Sequence, residues 1–163
     1  MAEPNYFLTC LGIDPGSHRI GYAILTRSNS KKYSLNLFGT IEVPPKTKSP
    51  ESLQIVRNEL TKILDDHNIT FASVENLYFA QNKTTAQAVY ETRGVILLTI
   101  GERNLKIVQP SNTQVKKAVT GNGNADKDMV KRGIEMLLGL KDLKGLDDSI
   151  DAIANAYVGF SLL

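Results

Sequence analysis

The chain has little cysteine and little histidine, and this scarcity excludes several kinds of site. Cys10 is the single cysteine among 163 residues, so an intrachain disulfide bond is impossible. Its place in an apolar segment is typical of a small buried side chain. His18 and His67 are the only histidines. A zinc site built from His and Cys ligands is therefore not expected.

Long apolar runs are also missing. No apolar stretch approaches the roughly 20 residues that a helix needs to cross a bilayer. The opening residues, MAEPNYFLTC, lack the basic start, long apolar centre and cleavage site of a signal peptide. We therefore expect a cytoplasmic protein without a membrane segment. A length of 163 residues with 42% hydrophobic content predicts one domain over residues 1–163 with a full hydrophobic core.

The net charge is only +2, so the overall balance says little about partners. Its distribution is more informative, because seven basic residues stand against two acidic ones between residues 103 and 132. The basic residues are Arg103, Lys106, Lys116, Lys117, Lys127, Lys131 and Arg132. Such a cluster suits a polyanion, since phosphate contacts supply most non-specific affinity for nucleic acids. An ordinary solvated surface is the alternative.

The periodicity of apolar residues predicts an α/β protein. It indicates five strands, over residues 7–13, 20–27, 33–43, 70–74 and 105–108. It indicates five helices, over residues 51–66, 84–103, 111–119, 129–138 and 146–162. The order of three strands, helix, strand, helix, strand and then helices is that of the ribonuclease H-like fold. We therefore expect a five-stranded mixed sheet flanked by helices on both faces.

Two acidic residues stand where predicted strands end. Asp14 lies at the end of the first strand, in LGIDPGSHRIGYAIL, and Glu75 follows the apolar run of the fourth. A carboxylate there can hold a metal ion at the exposed end of a sheet. Asp-Pro-Gly is also a good turn sequence, because proline fixes one backbone angle and glycine tolerates unusual conformations. Taken alone, Asp14 leaves both interpretations open.

Three further acids, Asp147, Asp148 and Asp151, begin the last predicted helix in GLDDSIDAIANA. Residues three or four apart share a helix face, so Asp151 with either Asp147 or Asp148 can direct two carboxylates at one point. Acids in a first turn also interact favourably with the helix dipole, by about 0.3–1 kcal/mol each. In the expected topology, this helix packs across the first and fourth strands. Four acids would then converge.

Four converging carboxylates repel one another, and their pKa values rise. Two divalent cations remove this conflict, and ligation by oxygen alone selects Mg²⁺ or Mn²⁺ over zinc or copper. Two such ions, roughly 4 Å apart, stabilise the attacking and leaving oxygens of a phosphoryl displacement. The sequence therefore predicts hydrolysis of a phosphodiester with two Mg²⁺ ions per site, for which Mn²⁺ would substitute.

Five short motifs stand in a fixed order along nearly the whole chain. They are LGIDPGS with GYAI, SVEN, ETRG, QVKKAVTGNGNADKDMV and DDSIDAIANA. In this order they resemble the RuvC family of Holliday-junction resolvases. The resemblance implies a Mg²⁺-dependent crossover junction endodeoxyribonuclease that acts in homologous recombination and DNA repair. It also implies that the metal ligands are Asp14, Glu75, Asp148 and Asp151, with Asp148 preferred to Asp147 because of the family's spacing.

The same resemblance assigns basic residues to the DNA. Lys116 and Lys127 stand where the family has lysines that serve the scissile phosphate, so both are expected to be catalytic and to bind DNA. Lys117 is a rival to Lys116, and Lys131 is the next lysine after Lys127. Each of these lysines is otherwise an ordinary surface residue.

An aromatic pair follows the second acid. Tyr78 stands three residues after Glu75, where the family has an aromatic ring that stacks on unpaired bases. Such stacking contributes roughly 1–3 kcal/mol per base. Phe79 is expected to turn into the core, although the two rings could exchange roles.

The resemblance further implies a homodimer on four-way junction DNA and branch-migration partners of the RuvA and RuvB type. The helix over 84–103, with Ala86, Ala88 and Gly94, is the expected dimer contact, and core packing is the alternative. A RuvX-type RNA-processing nuclease of the same fold is expected to be shorter and to lack the QVKKAVTGNG block. A non-catalytic junction-binding module is disfavoured because uncompensated acids would repel phosphate.

Overall fold

The structure is a computed structural model, and it describes residues 7–77 and 83–163. These residues form five strands and five helices. The strands are β1 (Phe7–Asp14), β2 (Arg19–Ser28), β3 (Tyr33–Glu42), β4 (Phe71–Val74) and β5 (Lys106–Val108). The helices are α1 (Glu51–Asp66), α2 (Lys83–Gly101), α3 (Asn112–Thr120), α4 (Lys127–Leu138) and α5 (Asp147–Leu162). In the described part of the chain, no helix is long and apolar enough to cross a membrane.

The five strands form one mixed sheet in the order β3-β2-β1-β4-β5. The pairs β1–β2 and β2–β3 are antiparallel, whereas β1–β4 and β4–β5 are parallel. The central strand β1 is apolar almost throughout because helices cover it on both sides. The predicted five-stranded mixed sheet is confirmed.

Each face of the sheet has its own apolar layer. On one face, Leu11 and Ile13 of β1 pack in a cluster with Leu60 of α1 and Ile96 of α2. On the other face, residues of α5 such as Ile153 pack with apolar residues of α3 and α4. Side chains alternate between the faces of a strand, so β1 supplies both layers. The helices on both faces are as predicted.

Helix α5 lies unusually close to the sheet because two glycines face it. A Cβ atom at Gly12 of β1 would lie 2.2 Å from the carbonyl oxygen of Ala152. A Cβ atom at Gly21 of β2 would lie 1.8 Å from the carbonyl oxygen of Asp148. Gly21 is paired with Asp14 across the β1–β2 ladder. The first turn of α5 therefore rests on the sheet next to Asp14.

Helix ends differ slightly from the predicted ones. The helix predicted over 129–138 begins at Lys127, because the Asp126 side chain accepts a hydrogen bond of 2.8 Å from the Met129 amide and caps the helix there. Gly139, with a positive φ of 66°, ends it. The difference moves Lys127 into the first turn of α4, where its position depends on the helix.

Candidate functional site

Asp14 and Glu75 lie side by side at one edge of the sheet. Their preceding residues, Ile13 and Val74, are paired across the parallel β1–β4 ladder. The Glu75 amide donates a hydrogen bond of 3.2 Å to the Ile13 carbonyl oxygen, which continues the pairing by one residue. Glu75 is buried and Asp14 is partly buried. The two acids that the sequence predicted at strand ends are thus adjacent.

The first turn of α5 brings two further acids to this edge. Asp148 lies above Gly21, the β2 partner of Asp14, and Asp151 follows three residues later on the same helix face. The side chain of Asp147 is 66% exposed, and its Oδ2 accepts a hydrogen bond of 3.0 Å from Lys127 Nζ. The side chain of Asp148 is only 26% exposed. This difference supports Asp148 over Asp147 as a member of the acidic cluster.

The electrostatics of the acids reflect their proximity. Burial, together with the charges of Glu75, Asp151 and Asp148, raises the pKa of Asp14 from 3.8 to about 8. The pKa of Asp151 rises to about 6, with burial as the largest cause and the Lys127 ammonium opposing it. Glu75, Asp147 and Asp148 add to the increase at Asp151. Each of these carboxylates therefore disfavours the ionisation of its neighbours.

Two of the four acids have polar partners of their own. Asp148 Oδ2 lies 3.2 Å from Arg19 Nε, and Glu75 Oε1 accepts a hydrogen bond of 3.1 Å from Asn112 Nδ2. Within 7–77 and 83–163, no three acidic, His or Cys side chains are arranged to hold one metal ion together. The acids therefore affect one another's ionisation without a ready-formed set of ligands among these residues.

The donor set nevertheless fits hard divalent cations. It consists of carboxylate oxygens, which Mg²⁺ and Mn²⁺ prefer. Asp148 Oδ2 is buried and accepts no hydrogen bond from the described residues, because its contact with Arg19 lacks hydrogen-bond geometry. A buried oxygen with a free lone pair, beside acids that resist ionisation, is suited to a cation. The side chains of the four acids would have to rotate to bring their carboxylate oxygens around a cation.

Asn155 fixes α5 against the sheet at this site, a role that was not predicted from the sequence. Its side chain is fully buried, and its Nδ2 donates a hydrogen bond of 3.2 Å to the Ile13 carbonyl oxygen. The same carbonyl accepts the Glu75 amide. One carbonyl group, next to Asp14, thus joins β4 and α5 to β1. A polar residue within the apolar stretch of the last helix was the available signal.

Arg93 of α2 fixes the main chain around Glu75. Its Nε donates a hydrogen bond of 3.1 Å to the Glu75 carbonyl oxygen, and its Nη2 donates one of 3.4 Å to Asn76 Oδ1. Nη2 also contacts Gln109 Oε1 at the end of β5. Burial lowers the pKa of Arg93. The helix α2 is therefore connected directly to an acid of the cluster.

Comparison with known proteins decides the family of this chain. The model of the family described as crossover junction endodeoxyribonuclease RuvC matches residues 10–158. The chain belongs to the RuvC family. The RuvC of Borrelia turicatae is 40% identical over 148 residues, which are 90% of this chain and 91% of that protein. The RuvC of Halothermothrix orenii is 37% identical over 147 residues, which are 90% of this chain and 88% of that protein.

A RuvC structure also has the same fold. The structure described as T. thermophilus RuvC in complex with Holliday junction substrate matches with a TM-score of 0.85 and 23% sequence identity. The match covers 94% of this chain and 96% of that one. The predicted ribonuclease H-like fold is confirmed, because the five-stranded mixed sheet and its covering helices are those of a RuvC resolvase.

The lysines expected from the RuvC motifs lie on two helices. Lys127 is the first residue of α4. Its positive charge lies close enough to oppose the rise in the pKa values of Asp14 and Asp151. Its hydrogen bond to Asp147 raises its own pKa. Lys131, one turn later, lines a small depression with Lys127, Asp128, Asp147, Ile150 and Asp151.

The other RuvC-derived residues are less closely connected to the acids. Lys116 and Lys117 lie on α3, partly buried and exposed respectively, and neither forms an ion pair with an acid in the described ranges. Asn112, at the start of the same helix, is the α3 residue that contacts Glu75. Tyr78 and its alternative Phe79 lie outside the described residues.

Proposed function

We propose that this chain is a crossover junction endodeoxyribonuclease that resolves four-way DNA junctions by symmetric hydrolysis of phosphodiester bonds. Its role would be in homologous recombination and DNA repair, as one nuclease domain over residues 1–163. Membership in the RuvC family supports this proposal. The observation that carries it is the meeting of Asp14, Glu75, Asp148 and Asp151 at one edge of the sheet.

In this proposal, Asp14, Glu75, Asp148 and Asp151 hold two Mg²⁺ ions, and Mn²⁺ is able to substitute for them. When bound, the ions supply positive charge to the attacking and leaving oxygens of the phosphodiester. The chain's own residues prepare the site. Asn112 orients Glu75 through its hydrogen bond, while Lys127 supplies a fixed positive charge next to Asp151. Lys127 and Lys116 would act at the scissile phosphate.

DNA contacts are proposed for five side chains. Lys116, Lys117, Lys127 and Lys131 would bind phosphates, because α3 and the start of α4 lie within residues 103–132, where seven basic residues stand against two acidic ones. Tyr78, close in sequence to Glu75, would stack on an unpaired base. Phosphate contacts fix the orientation of the DNA, and stacking favours an opened junction.

A homodimer would present two such sites to a two-fold substrate. The helix α2 offers a surface for it, since Gln87, Tyr90, Gly94 and Leu98 recur at helical spacing on its exposed side. Leu98 is 61% exposed, so this side of α2 presents an apolar side chain to solvent. Branch-migration proteins of the RuvA and RuvB type would be further partners.

Cleavage of a synthetic four-way junction tests this function. With Mg²⁺, the protein should produce symmetric nicks with 5′-phosphate ends and should leave a linear duplex of the same sequence uncut. Asp14→Asn and Glu75→Gln should abolish cutting and retain junction binding. Asp65→Asn is the matched control, because Asp65 pairs with Arg103 outside the acidic cluster. Full activity in Asp14→Asn would refute the site, and equal cutting of linear duplex would refute junction selectivity.

A further inference from the structure

Arg19 is a charged residue at the site that the proposed function does not use. It lies between the two parts of the first motif, LGIDPGS and GYAI, so the family resemblance assigns it no role. Its Nε lies 3.2 Å from Asp148 Oδ2, while 56% of its side chain remains exposed. A guanidinium therefore already sits against one of the four acids proposed to hold the cations.

The backbone fixes the position from which Arg19 reaches Asp148. A Cβ atom at Gly16 would lie 2.0 Å from the Arg19 carbonyl oxygen, so the Asp14–Arg19 turn folds tightly onto itself. Arg19 is the first residue of β2, two residues before Gly21, and therefore faces the same side of the strand. Gly21 contacts the main chain of Asp148. The strand thus directs both residues towards the first turn of α5.

We propose that Arg19 is a built-in counter-ion that competes with the divalent cation for Asp148. The guanidinium contacts Oδ2, the buried oxygen of that carboxylate, and a cation held by Asp148 would compete for the same oxygen. A positive charge next to the site also repels an arriving cation. This proposal rests on the proposed function in one respect, namely that Asp148 is a cation ligand. In this proposal Arg19 is a positioning residue, which acts on the cation site only through Asp148.

A second acid is available to Arg19 once Asp148 is taken. Glu42 of β3 is paired with Arg19 across the β2–β3 ladder and is exposed. Residues directly opposite on antiparallel strands have Cβ atoms about 4.5–5.5 Å apart, so a side chain of this length reaches the carboxylate. The guanidinium can therefore leave Asp148 and remain paired. The exchange requires only rotation of exposed side-chain bonds.

Titration with Mn²⁺ in the absence of DNA tests the competition, with free Mn²⁺ followed by electron paramagnetic resonance. Loss of an ion pair of this exposure should tighten Mn²⁺ binding in Arg19→Gln by about 2- to 5-fold. Arg19→Lys keeps the charge and should bind Mn²⁺ nearly as the unaltered chain does. Arg57→Gln is the matched control, because Arg57 pairs with Glu102 at the same 3.2 Å and is 51% exposed. Arg57→Gln should leave the affinity for Mn²⁺ unchanged.

The outcomes separate this proposal from the function on which it rests. Weaker or unchanged Mn²⁺ binding in Arg19→Gln, with normal folding by circular dichroism, would overturn the proposal that Arg19 competes with the cation for Asp148. Loss of junction binding by Arg19→Gln, without any change in Mn²⁺ binding, would instead make Arg19 a DNA contact. Asp148→Asn addresses the proposed function itself, because unchanged Mn²⁺ binding in that variant would remove Asp148 from the metal site.

Discussion

The carboxyl group of Asp14 resists ionisation because it is enclosed by the sheet and by α5 and lies next to other acids. Burial is the larger cause, and Glu75 is the largest of the neighbouring charges. In the metal-free protein the group keeps its proton at pH values where a free carboxyl group has lost it. The cost of ionising Asp14 is therefore part of the free energy of folding.

This cost predicts how stability depends on pH. The pKa of Asp14 is about 8 in the folded chain and 3.8 ordinarily, so the folded state binds more protons between these values. Stability must then fall as the pH rises through this window, by up to about 1.4 kcal/mol per pH unit from this group. Urea unfolding with EDTA should show the fall, and Asp14→Asn should flatten it.

The effect of Mg²⁺ on stability tests the same carboxyl group. At about pH 8, Mg²⁺ should stabilise the unaltered chain, because a ligand that binds only the folded state adds to its stability. The gain should be much smaller in Asp14→Asn. If the stability of Asp14→Asn depended on pH as steeply as that of the unaltered chain, the ionisation of Asp14 would not be its cause. If Mg²⁺ stabilised both proteins equally, the ion would bind at a place other than Asp14.

Single residues differ in how far the sequence predicted their roles. Asp14 and Glu75 were found because a strand end is visible in the sequence, as an apolar run followed by an acid. Arg19 and Arg93 were missed because their partners are distant along the chain, at Asp148 and Glu75 respectively. An exposed or half-exposed arginine leaves no periodic signal. Only the folded chain identifies its partner.

At the scale of elements, α5 determines the shape of the site. The helix touches the sheet through its backbone at Gly12 and Gly21, and Asn155 holds it there. The sequence predicted this helix and its acids, but not its close approach. A glycine within a strand commonly indicates a bulge or a contact with another backbone, and only the three-dimensional arrangement distinguishes these. The close approach is what brings Asp148 next to Asp14.

Gly21→Ala should disturb both the fold and the site. A Cβ atom there would lie 1.8 Å from the Asp148 carbonyl oxygen, so the first turn of α5 must move away. We expect a loss of about 1–3 kcal/mol in the free energy of unfolding, as for other overpacked sites, together with weaker Mn²⁺ binding. Urea unfolding and Mn²⁺ titration measure the two effects.

Gly101→Ala is the control for this substitution. A Cβ atom at Gly101, the last residue of α2, would meet nothing within 4 Å, so Gly101→Ala should lose neither stability nor Mn²⁺ affinity. If Gly21→Ala bound Mn²⁺ as tightly as the unaltered chain, the position of the α5 first turn would not control the metal site. If both glycine variants lost the same stability, crowding at Gly21 would not be the cause.

At the scale of the whole molecule, two sites must act on one junction for symmetric cutting. Arg93 connects α2 to the Glu75 carbonyl oxygen, so the helix proposed as the dimer contact also supports the acidic cluster. The sequence predicted α2 as this contact from its small residues. In the structure its exposed side carries Gly94 and Leu98. A substitution at Leu98 can therefore test the proposed dimer contact without altering the acidic cluster.

Leu98→Glu should convert the proposed homodimer into a monomer, because paired copies of this face would bring like charges together in the proposed contact. Sedimentation velocity measures the change in mass, and Met136→Glu on α4 is the control, since Met136 is 78% exposed. Mn²⁺ binding should survive in Leu98→Glu, because Leu98 contributes nothing to the acidic cluster. Paired cutting of the junction should be lost, leaving at most single nicks. A dimer that persists in Leu98→Glu would show that another surface joins the two copies.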